Sequence, residues 1–416
     1  MTFRNGDRTR LDSWKAVSLY FGRDERTVRR WEAERGLPIH RLPGAKRSQV
    51  YAEISELDSW LTGAGLAQDE SRVPEAAPAR LRGARQPLRP ARDQPPASVD
   101  GYCAEGERGW AQRTPSGLNH ALDAFNAAAR LDPTCAAAFV GLAKTYILLR
   151  EFTLMPDAQA YPMARSAARR ALALDDTLAM AHAASAFVDF WSFWDAPAAE
   201  LSFSRAIGLD PDSVTIRHWH ATFLSAQADH SAALREIDRA LTLDPASLPI
   251  RADRGLMLVF AGRQPEGVAL LREVTALDPG FRPSQRYLAA IYLVTGMDRD
   301  YLRQAASLAA ATPGDRSDAV ALDAARVGYD VAGRRGMLAA LLADRLERAR
   351  VGTATAYSVA KLYAMSRNES AALTWLQKSL DRRETEYVEI VCDPAFASLR
   401  RTDAFQALVA ALKPMA

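Results

Sequence analysis

The chain has 416 residues, of which 48% are hydrophobic and 25% charged, so it is long enough and apolar enough to form more than one folded core. Its formal net charge of +3 comes from the N-terminal part, because residues 1–63 hold 12 Lys and Arg against 9 Asp and Glu, and residues 64–100 hold 6 against 5. No run of about 18 apolar residues occurs, which excludes a membrane-spanning helix, and the first residues lack the apolar stretch of a secretory signal, so we expect a cytoplasmic protein.

The first predicted elements, within residues 10–62, are two short helices joined by a turn. Asp12 and Asp24 are candidate N-caps, and Gly22 separates the two helices. The apolar side chains that the helical spacing turns toward a shared core are Trp14, Val17, Phe21, Val28 and Trp31. Two short helices with a glycine in the turn are typical of a helix-turn-helix.

A hairpin and a third helix are predicted next. Leu37–Arg41 and Ser48–Tyr51 flank Pro43-Gly44, which predicts two short strands around a glycine turn. Ser55 and Asp58 have the spacing of a capping box. The helix that they open would bury Leu57, Trp60 and Leu61. Helix, turn, helix, hairpin and helix is the order of a winged helix-turn-helix domain.

The second helix and the hairpin carry a residue pattern that resembles the MerR and excisionase-like winged-helix family. The matching residues are Arg26-Thr27-Val28-Arg29-Arg30-Trp31-Glu32, Gly36-Leu37, Arg41, Arg47 and Tyr51. In that family the second helix enters the major groove and the wing grips phosphates. The predicted contacts to double-stranded DNA are Arg23, Arg26, Thr27, Arg29, Arg30, Arg41, Lys46 and Arg47. Glu32–Gly36 is one residue longer than is usual in MerR proteins, and no long dimerising helix follows, so promoter distortion by a coiled-coil dimer is not implied.

The spacing of the arginines also indicates an anion. Arg26 and Arg30 are four residues apart and share one helix face, where like charges destabilise an isolated helix. A guanidinium group suits both phosphate and the edge of guanine. The alternative is a solvated face on which the arginines pair with Asp24, Glu25, Glu32 and Glu34.

Residues 64–98 separate this module from the rest of the chain. They contain six prolines and six arginines and almost no large apolar side chain. Such a composition cannot bury enough surface to fold by itself. We interpret the segment as a flexible linker.

Beyond the linker a repeat predicts the fold. Leu-Asp-Pro recurs at 131, 209, 243 and 277, and related tripeptides begin at 174 and 311, which gives intervals of 43, 35, 34, 34 and 34 residues. A period of 34 with helical patterning is typical of stacked helix pairs, each ended by its proline. The longer interval predicts an enlarged loop over Arg150–Asp157.

This region resembles the tetratricopeptide family over residues 99–383, with about eight hairpins, followed by a capping segment over 384–416. The stretch from Tyr102 to Pro279 is similar to the repeat region of CadC-like regulators and of adenylate-cyclase-associated regulators. The fold class that we predict is therefore mainly α: a small winged helix-turn-helix domain and an all-α solenoid of tetratricopeptide repeats. Such repeats present a concave face to a protein or peptide partner.

Few residues suggest metal binding or catalysis. His218 and His220 are two apart on a helix and point to different faces, so a shared metal ion is poorly placed. The aromatic cluster Phe190–Trp194 is better explained as core than as a ligand site. Three cysteines, Cys103, Cys135 and Cys392, form no CxxC pair, which favours a reducing compartment. No arrangement typical of catalysis occurs, so we expect neither an enzyme nor a cofactor.

These patterns favour a sequence-specific DNA-binding transcriptional regulator whose solenoid binds a partner protein or effector. A homodimer on a two-fold DNA site belongs to this hypothesis. One alternative is a scaffold of tetratricopeptide repeats whose N-terminal module binds protein. Another is an architectural DNA-binding factor of the excisionase kind.

Overall fold

A computed structural model describes residues 10–11, 14, 17, 25–41, 50–53, 56–57, 98–153, 155–310 and 317–412. The chain divides into two units, Met1–Arg92 and Asp93–Ala416. All but the last residue of the predicted linker lies outside the described residues, and so do the predicted caps Asp12, Asp24, Ser55 and Asp58.

The N-terminal unit contains strand β1 (Arg10–Leu11), helix α1 (Glu25–Arg35), and strands β2 (His40–Arg41) and β3 (Val50–Glu53). The strands form an antiparallel sheet in the order β1-β3-β2, with Leu11 opposite Ala52 and His40 opposite Tyr51. The pairing of β2 with β3 is the predicted hairpin. Strand β1 was not predicted, because two residues carry no alternating pattern.

A small apolar core holds this unit together. Val17, Val28, Leu37, Ala52 and Leu57 are buried, and Trp14 and Trp31 pack against them. Gly36 ends α1 with a φ of +63°, a left-handed conformation that favours glycine. The next amide, of Leu37, donates to the carbonyl of Trp31 at 3.2 Å. The turn thereby directs Leu37 back into the core.

The C-terminal unit is a solenoid of helical hairpins, as the repeat predicts. Its helices are α2 (Val99–Ala111), α3 (Pro115–Leu131), α4 (Ala136–Thr153), α5 (Asp157–Leu174), α6 (Ala179–Trp191), α7 (Ala196–Leu209), α8 (Val214–Ala226), α9 (His230–Leu243), α10 (Leu248–Phe260), α11 (Gln264–Leu277), α12 (Arg282–Thr295), α13 (Asp298–Ala310), α14 (Ser317–Arg350), α15 (Ala356–Met365) and α16 (Glu369–Asp381). Helices pack pairwise in chain order from α2 to α13, and the first helices of neighbouring pairs, α2 to α12, contact one another.

The aspartate of the Leu-Asp-Pro tripeptide ends the second helix of a hairpin. The backbone of Asp132 is extended, and its carboxylate accepts from the amide and the hydroxyl of Thr134 at 2.8 and 2.6 Å. Asp175 caps the turn after α5 in the same way through Thr177. These hydrogen bonds hold the pKa of both carboxyls below its ordinary value. The repeated tripeptide is therefore a signal for the end of a helix.

Paired glycines let two helices of a hairpin approach closely. A Cβ on Gly267 of α11 would lie 2.4 Å from the carbonyl oxygen of Gly255 in α10. A Cβ on Gly328 would meet the carbonyl oxygen of Gly336 at the same distance. Both glycines of the second pair lie in α14, whose helix is interrupted at Ala332 and Gly333, so its two halves form a hairpin.

The 43-residue interval predicted an enlarged loop over Arg150–Asp157, and this prediction is wrong. Helix α4 continues to Thr153 and α5 begins at Asp157, so most of this stretch is helical. Each of these helices has 18 residues, whereas α8 and α9 have 13 and 14. Longer helices therefore accommodate the additional residues.

The C-terminal part turns back onto the solenoid. It consists of the 3-10 helices Thr385–Val391 and Pro394–Phe396 and of helix α17 (Asp403–Ala410), and we refer to residues 384–412 as the return segment. The return segment contacts α15 and α16, and it also contacts α6 and α8 from the middle of the array. Trp194 and Tyr387 stack with ring centroids 5.3 Å apart. One apolar cluster consequently includes side chains from both Trp110–Ala226 and Tyr357–Leu408.

Candidate binding groove and basic helix

The first helices of the hairpins and the return segment line a groove of about 1370 Å³, which we call the inner groove. The lining residues come from α4, α6, α8, α10 and α12, from α15 and the return segment, and in smaller number from α5, α13 and α14. Its walls combine large apolar side chains with acids and bases. The apolar lining includes Met155, Phe187, Trp191, Trp219, Phe260 and Phe281.

Aromatic packing shapes the groove beside α6 and α8. Phe187 stacks on Trp191 with centroids 4.3 Å apart, and Trp219 of α8 contacts Phe187 at 5.1 Å. Phe190 and Trp194 are buried, which confirms that this part of the aromatic cluster belongs to the core. Trp191 is also buried, and it lines the inner groove. The cluster is thus both core and groove wall.

A partly buried polar network joins the first helices of three successive hairpins at the groove. The carboxylate of Asp253 in α10 accepts from Nε2 of His218 in α8 at 2.5 Å and from the hydroxyl of Tyr287 in α12 at 2.8 Å. His218 is 5% exposed. The role of this histidine is therefore to bond across repeats, which neither its spacing nor its residue type could indicate.

The return segment brings a second polar network to the groove. Lys361 of α15 forms an ion pair with Asp393 at 2.8 Å, and the hydroxyl of Tyr357 donates to the same carboxylate at 3.3 Å. Glu384 accepts from the first two amides of α15, those of Ala356 and Tyr357, at 2.8 and 2.9 Å. A carboxylate at this position stabilises the start of the helix.

The inner groove also holds two carboxyls whose negative charge is only partly balanced by nearby bases. Burial, together with Asp393 and Glu386, raises the pKa of Glu389 to about 7, although Lys361 and Arg150 act in the opposite direction. Burial also raises the pKa of Glu151, whose nearest base, Arg286, lies 3.8 Å away. Glu389 of the return segment and Glu151 of α4 were not among the residues that the sequence pointed to.

The predicted DNA contacts are placed only in part. Arg26, Arg29 and Arg30 are exposed on α1, whereas Val28 of the same helix is buried. The guanidinium of Arg29 lies 4.8 Å from the ring centroid of Trp14. Arg41 is exposed at the end of β2 and pairs with Glu32 at 2.6 Å.

The remaining predicted contacts lie outside the described residues: Arg23, Lys46, Arg47 and the side chain of Thr27. The structure therefore brings Arg26, Arg29 and Arg30 together on one helix, with Arg41 on the neighbouring sheet, and their contact with DNA stays a prediction.

Across the described ranges, no group of three or more His, Cys, Asp and Glu side chains could hold a metal ion. His220 lies 3.6 Å from Glu200 and 3.8 Å from Glu236, away from the partner of His218. None of the described helices combines the length and the apolar character needed to cross a membrane.

Two cysteines are neighbours in space although 32 positions separate them in sequence. Cys103 of α2 and Cys135, which precedes α4, interact through their side chains, and both thiols are free. Burial, followed by the effect of Cys135, raises the pKa of Cys103 to about 12. A thiol with a raised pKa is a poor nucleophile, which argues against a reactive site here.

Solved structures with a similar backbone include two of human IFIT1. The IFIT1 dimer with m7Gppp-AAAA has a TM-score of 0.51 and 14% identity, over 68% of this chain and 72% of that chain. The IFIT1 dimer with PPP-AAAA has a TM-score of 0.50 and 14% identity, over 76% and 72% of the two chains. The likeness is one of fold.

A third similar structure is pilF of Pseudomonas aeruginosa, with a TM-score of 0.39 and 16% identity over 58% of this chain and 98% of that chain. Comparison with protein-family models and with curated proteins gives no match. The C-terminal unit is a helical-repeat solenoid, as its stacked hairpins show.

Proposed function

We propose that this chain is a binding protein, without catalytic activity, whose inner groove holds an extended segment of a partner protein. The observation that carries the proposal is the groove itself. Its volume of about 1370 Å³ exceeds the roughly 300–1,000 Å³ of most small-molecule sites. Aromatic walls for apolar side chains and charged groups between them are the features with which a repeat surface recognises a peptide.

The test of this proposal is to fill the groove. Ala290 is exposed on α12 and lines the groove, so Ala290→Trp adds a large ring there without disturbing the core. The matched control is Ala407→Trp, because Ala407 is exposed on α17 and does not line the groove. Binding of random dodecapeptides to the full chain should be lost in the first variant and kept in the second. Equal binding by both variants would remove the groove as the site.

A second candidate function is that the N-terminal unit binds double-stranded DNA, as in a transcriptional regulator acting in the cytoplasm. It is supported by a helix whose buried side carries Val28 and whose exposed side carries Arg26, Arg29 and Arg30, beside an antiparallel hairpin. The resemblance to winged-helix proteins of the MerR and excisionase kind supports the same role. A two-fold DNA site read by a homodimer is part of this proposal.

Duplex binding is measured by electrophoretic mobility shift with the full chain at several salt concentrations. If about five phosphates are neutralised, log affinity should fall against log salt with a slope of about −4 to −5. Arg26→Ala/Arg30→Ala should weaken binding and reduce the slope. Arg130→Ala/Arg235→Ala, two exposed positions on the solenoid, should leave both unchanged. If the full chain binds no duplex at 50 mM salt, the scaffold function alone remains.

A further inference from the structure

The inner groove contains a place where negative charge exceeds positive charge. Around the 3-10 helix Thr385–Val391, three bases are each paired with an acid: Arg150 with Asp157 at 2.8 Å, Lys361 with Asp393 at 2.8 Å, and Arg382 with Glu384 at 3.9 Å. The guanidinium of Arg383 lies 4.1 Å from the ring centroid of Trp194. Among the described residues, the carboxylates of Glu386 and Glu389 have no such partner, and one buried oxygen of Glu386 accepts no hydrogen bond. Two acids that line the groove are therefore left without a bound cation.

Tyr161 of α5 provides a second, independent indication of a ligand site. Its side chain is 1% exposed and lines the inner groove. Within the described part of the chain its hydroxyl makes no hydrogen bond. A buried hydroxyl without a partner destabilises the folded state, so such groups are rare in native proteins unless something binds to them. Burial raises the pKa of Tyr161, which keeps the hydroxyl protonated.

Tyr161, Glu386 and Glu389 all line the inner groove. Arg150, Asp157 and Glu389 all act on the ionisation of Tyr161. The charged groups that act on Glu389 come from α4, α15 and its own segment, and they are Lys361, Asp393, Glu386 and Arg150. The described residues contain no cluster that fits a metal ion. An organic cation is the chemistry that remains.

We infer that the inner groove recognises a basic side chain, Arg or Lys, of the partner segment, with Glu386 and Glu389 holding its charge and Tyr161 bonding beside it. This inference rests on the proposed function of the groove. A guanidinium or ammonium group would neutralise the two acids while the neighbouring aromatic walls contact the apolar part of the peptide.

The test begins with a library of random dodecapeptides screened against the full chain at pH 8. Arg or Lys should be enriched at one position of the bound peptides. The affinity of an enriched peptide should fall at least tenfold when that residue is replaced by Ala, and also when the protein carries Glu386→Gln/Glu389→Gln. The two losses should not add, since both remove the same contact. Glu369→Gln is the control, because Glu369 is exposed at the start of α16 and does not line the groove.

Dependence on pH gives a readout that a structural role would not produce. The cation binds the ionised carboxylate, and the pKa of Glu389 is about 7. Peptide affinity should therefore be about tenfold weaker at pH 6 than at pH 8 in the native chain, and this difference should shrink in Glu389→Gln. Tyr161→Phe should weaken the peptide while leaving the protein folded.

The outcomes separate the two levels of the proposal. Peptides that bind the groove with no enriched basic residue, or with an affinity that the glutamine variants do not change, would overturn the inference and leave the proposed function intact. A library from which no peptide binds would refute the groove function and the inference together.

Discussion

Glu389 carries its charge at a cost to the folded state. Its pKa of about 7 lies above the ordinary value of 4.5, because burial and the neighbouring Asp393 and Glu386 disfavour ionisation. An acid with a raised folded-state pKa lowers stability as pH rises from about 4.5 through about 7, after which the loss is complete. The expected trend is opposite to that of a carboxyl in a strong ion pair.

Replacing this carboxyl by a neutral amide should remove the cost. Glu389→Gln is expected to unfold at a higher urea concentration than the native chain at pH 8, and at nearly the same concentration at pH 5. Urea titrations at both pH values, followed by circular dichroism, measure the difference. Glu369→Gln, at an exposed position, should show no such dependence. A gain of equal size at both pH values would mean that ionisation is not the cause.

Residue types and their spacing in the sequence predict some contacts of the site but not others. Val28 was predicted to be buried because its helical spacing matches that of Trp31, and Val28 is buried. For His218 the sequence argued only against a metal ion shared with His220, and the structure shows that it bonds to Asp253, which is 35 positions away. Local patterns contain no information about that partner, because it belongs to the next repeat and is reached only after the hairpins stack.

At the level of secondary-structure elements, Asp253 of α10 links three helices by hydrogen bonds. It accepts from His218 of α8 and Tyr287 of α12, so its removal leaves two largely enclosed donors without a partner. Asp253→Ala is expected to lower the free energy of unfolding by about 2 kcal/mol or more. Chemical denaturation measures this loss. The control Asp123→Ala, at an exposed position of α3, should change the free energy of unfolding by less than about 0.5 kcal/mol. Equal effects of the two substitutions would contradict the bridging role.

The close approach of α10 and α11 depends on glycine. A methyl group at Gly267 would lie 2.4 Å from a backbone oxygen, and backbone cannot rotate away as a side chain can. Gly267→Ala is expected to destabilise the fold by about 2–3 kcal/mol. Gly208→Ala serves as the matched control, because a Cβ there meets nothing within 4 Å and α7 should gain roughly 0.5–1 kcal/mol. Thermal denaturation should show the two melting temperatures moving in opposite directions.

The sequence predicted where helices end more accurately than how long each helix is. Leu-Asp-Pro acts through bonds within a few residues, as Asp132 and Thr134 demonstrate, so its position marks a helix end wherever it occurs. The interval of 43 residues was open to two explanations, a loop or longer helices. Longer helices occur because Arg150–Thr153 continue α4, and the apolar pattern of one helix does not state where it must stop.

For the whole molecule, the return segment is the feature that no repeat period predicts. Tyr387 is buried, its ring stacks on Trp194, and its hydroxyl donates to the carbonyl of Leu408 at 2.9 Å. The sequence predicted a cap over residues 384–416, next to the last hairpin. Contact with α6 and α8, far back in the chain, depends on how all the intervening hairpins stack, which no single repeat encodes.

Loss of the contact between Tyr387 and Trp194 should destabilise both the return segment and the region of α6 and α8. Tyr387→Ala is expected to destabilise the fold by about 3–5 kcal/mol, as for other large buried aromatic rings. Hydrogen exchange should become faster in α6 and α8 as well as in the return segment, with little change in α11. Tyr329→Ala, at a half-buried position of α14, should have effects confined to its neighbours. Faster exchange in the return segment alone would show that the two regions are not coupled.

The stacking of Trp194 on Tyr387 also limits how such a chain could change in length. An open array of hairpins tolerates the gain or loss of one unit, because each unit contacts only its neighbours. Here a duplicated hairpin between α9 and α10 would rotate every later helix and carry Tyr387 away from its partner. Variation by whole repeats is therefore expected to disrupt this chain, whereas substitution within a repeat is not.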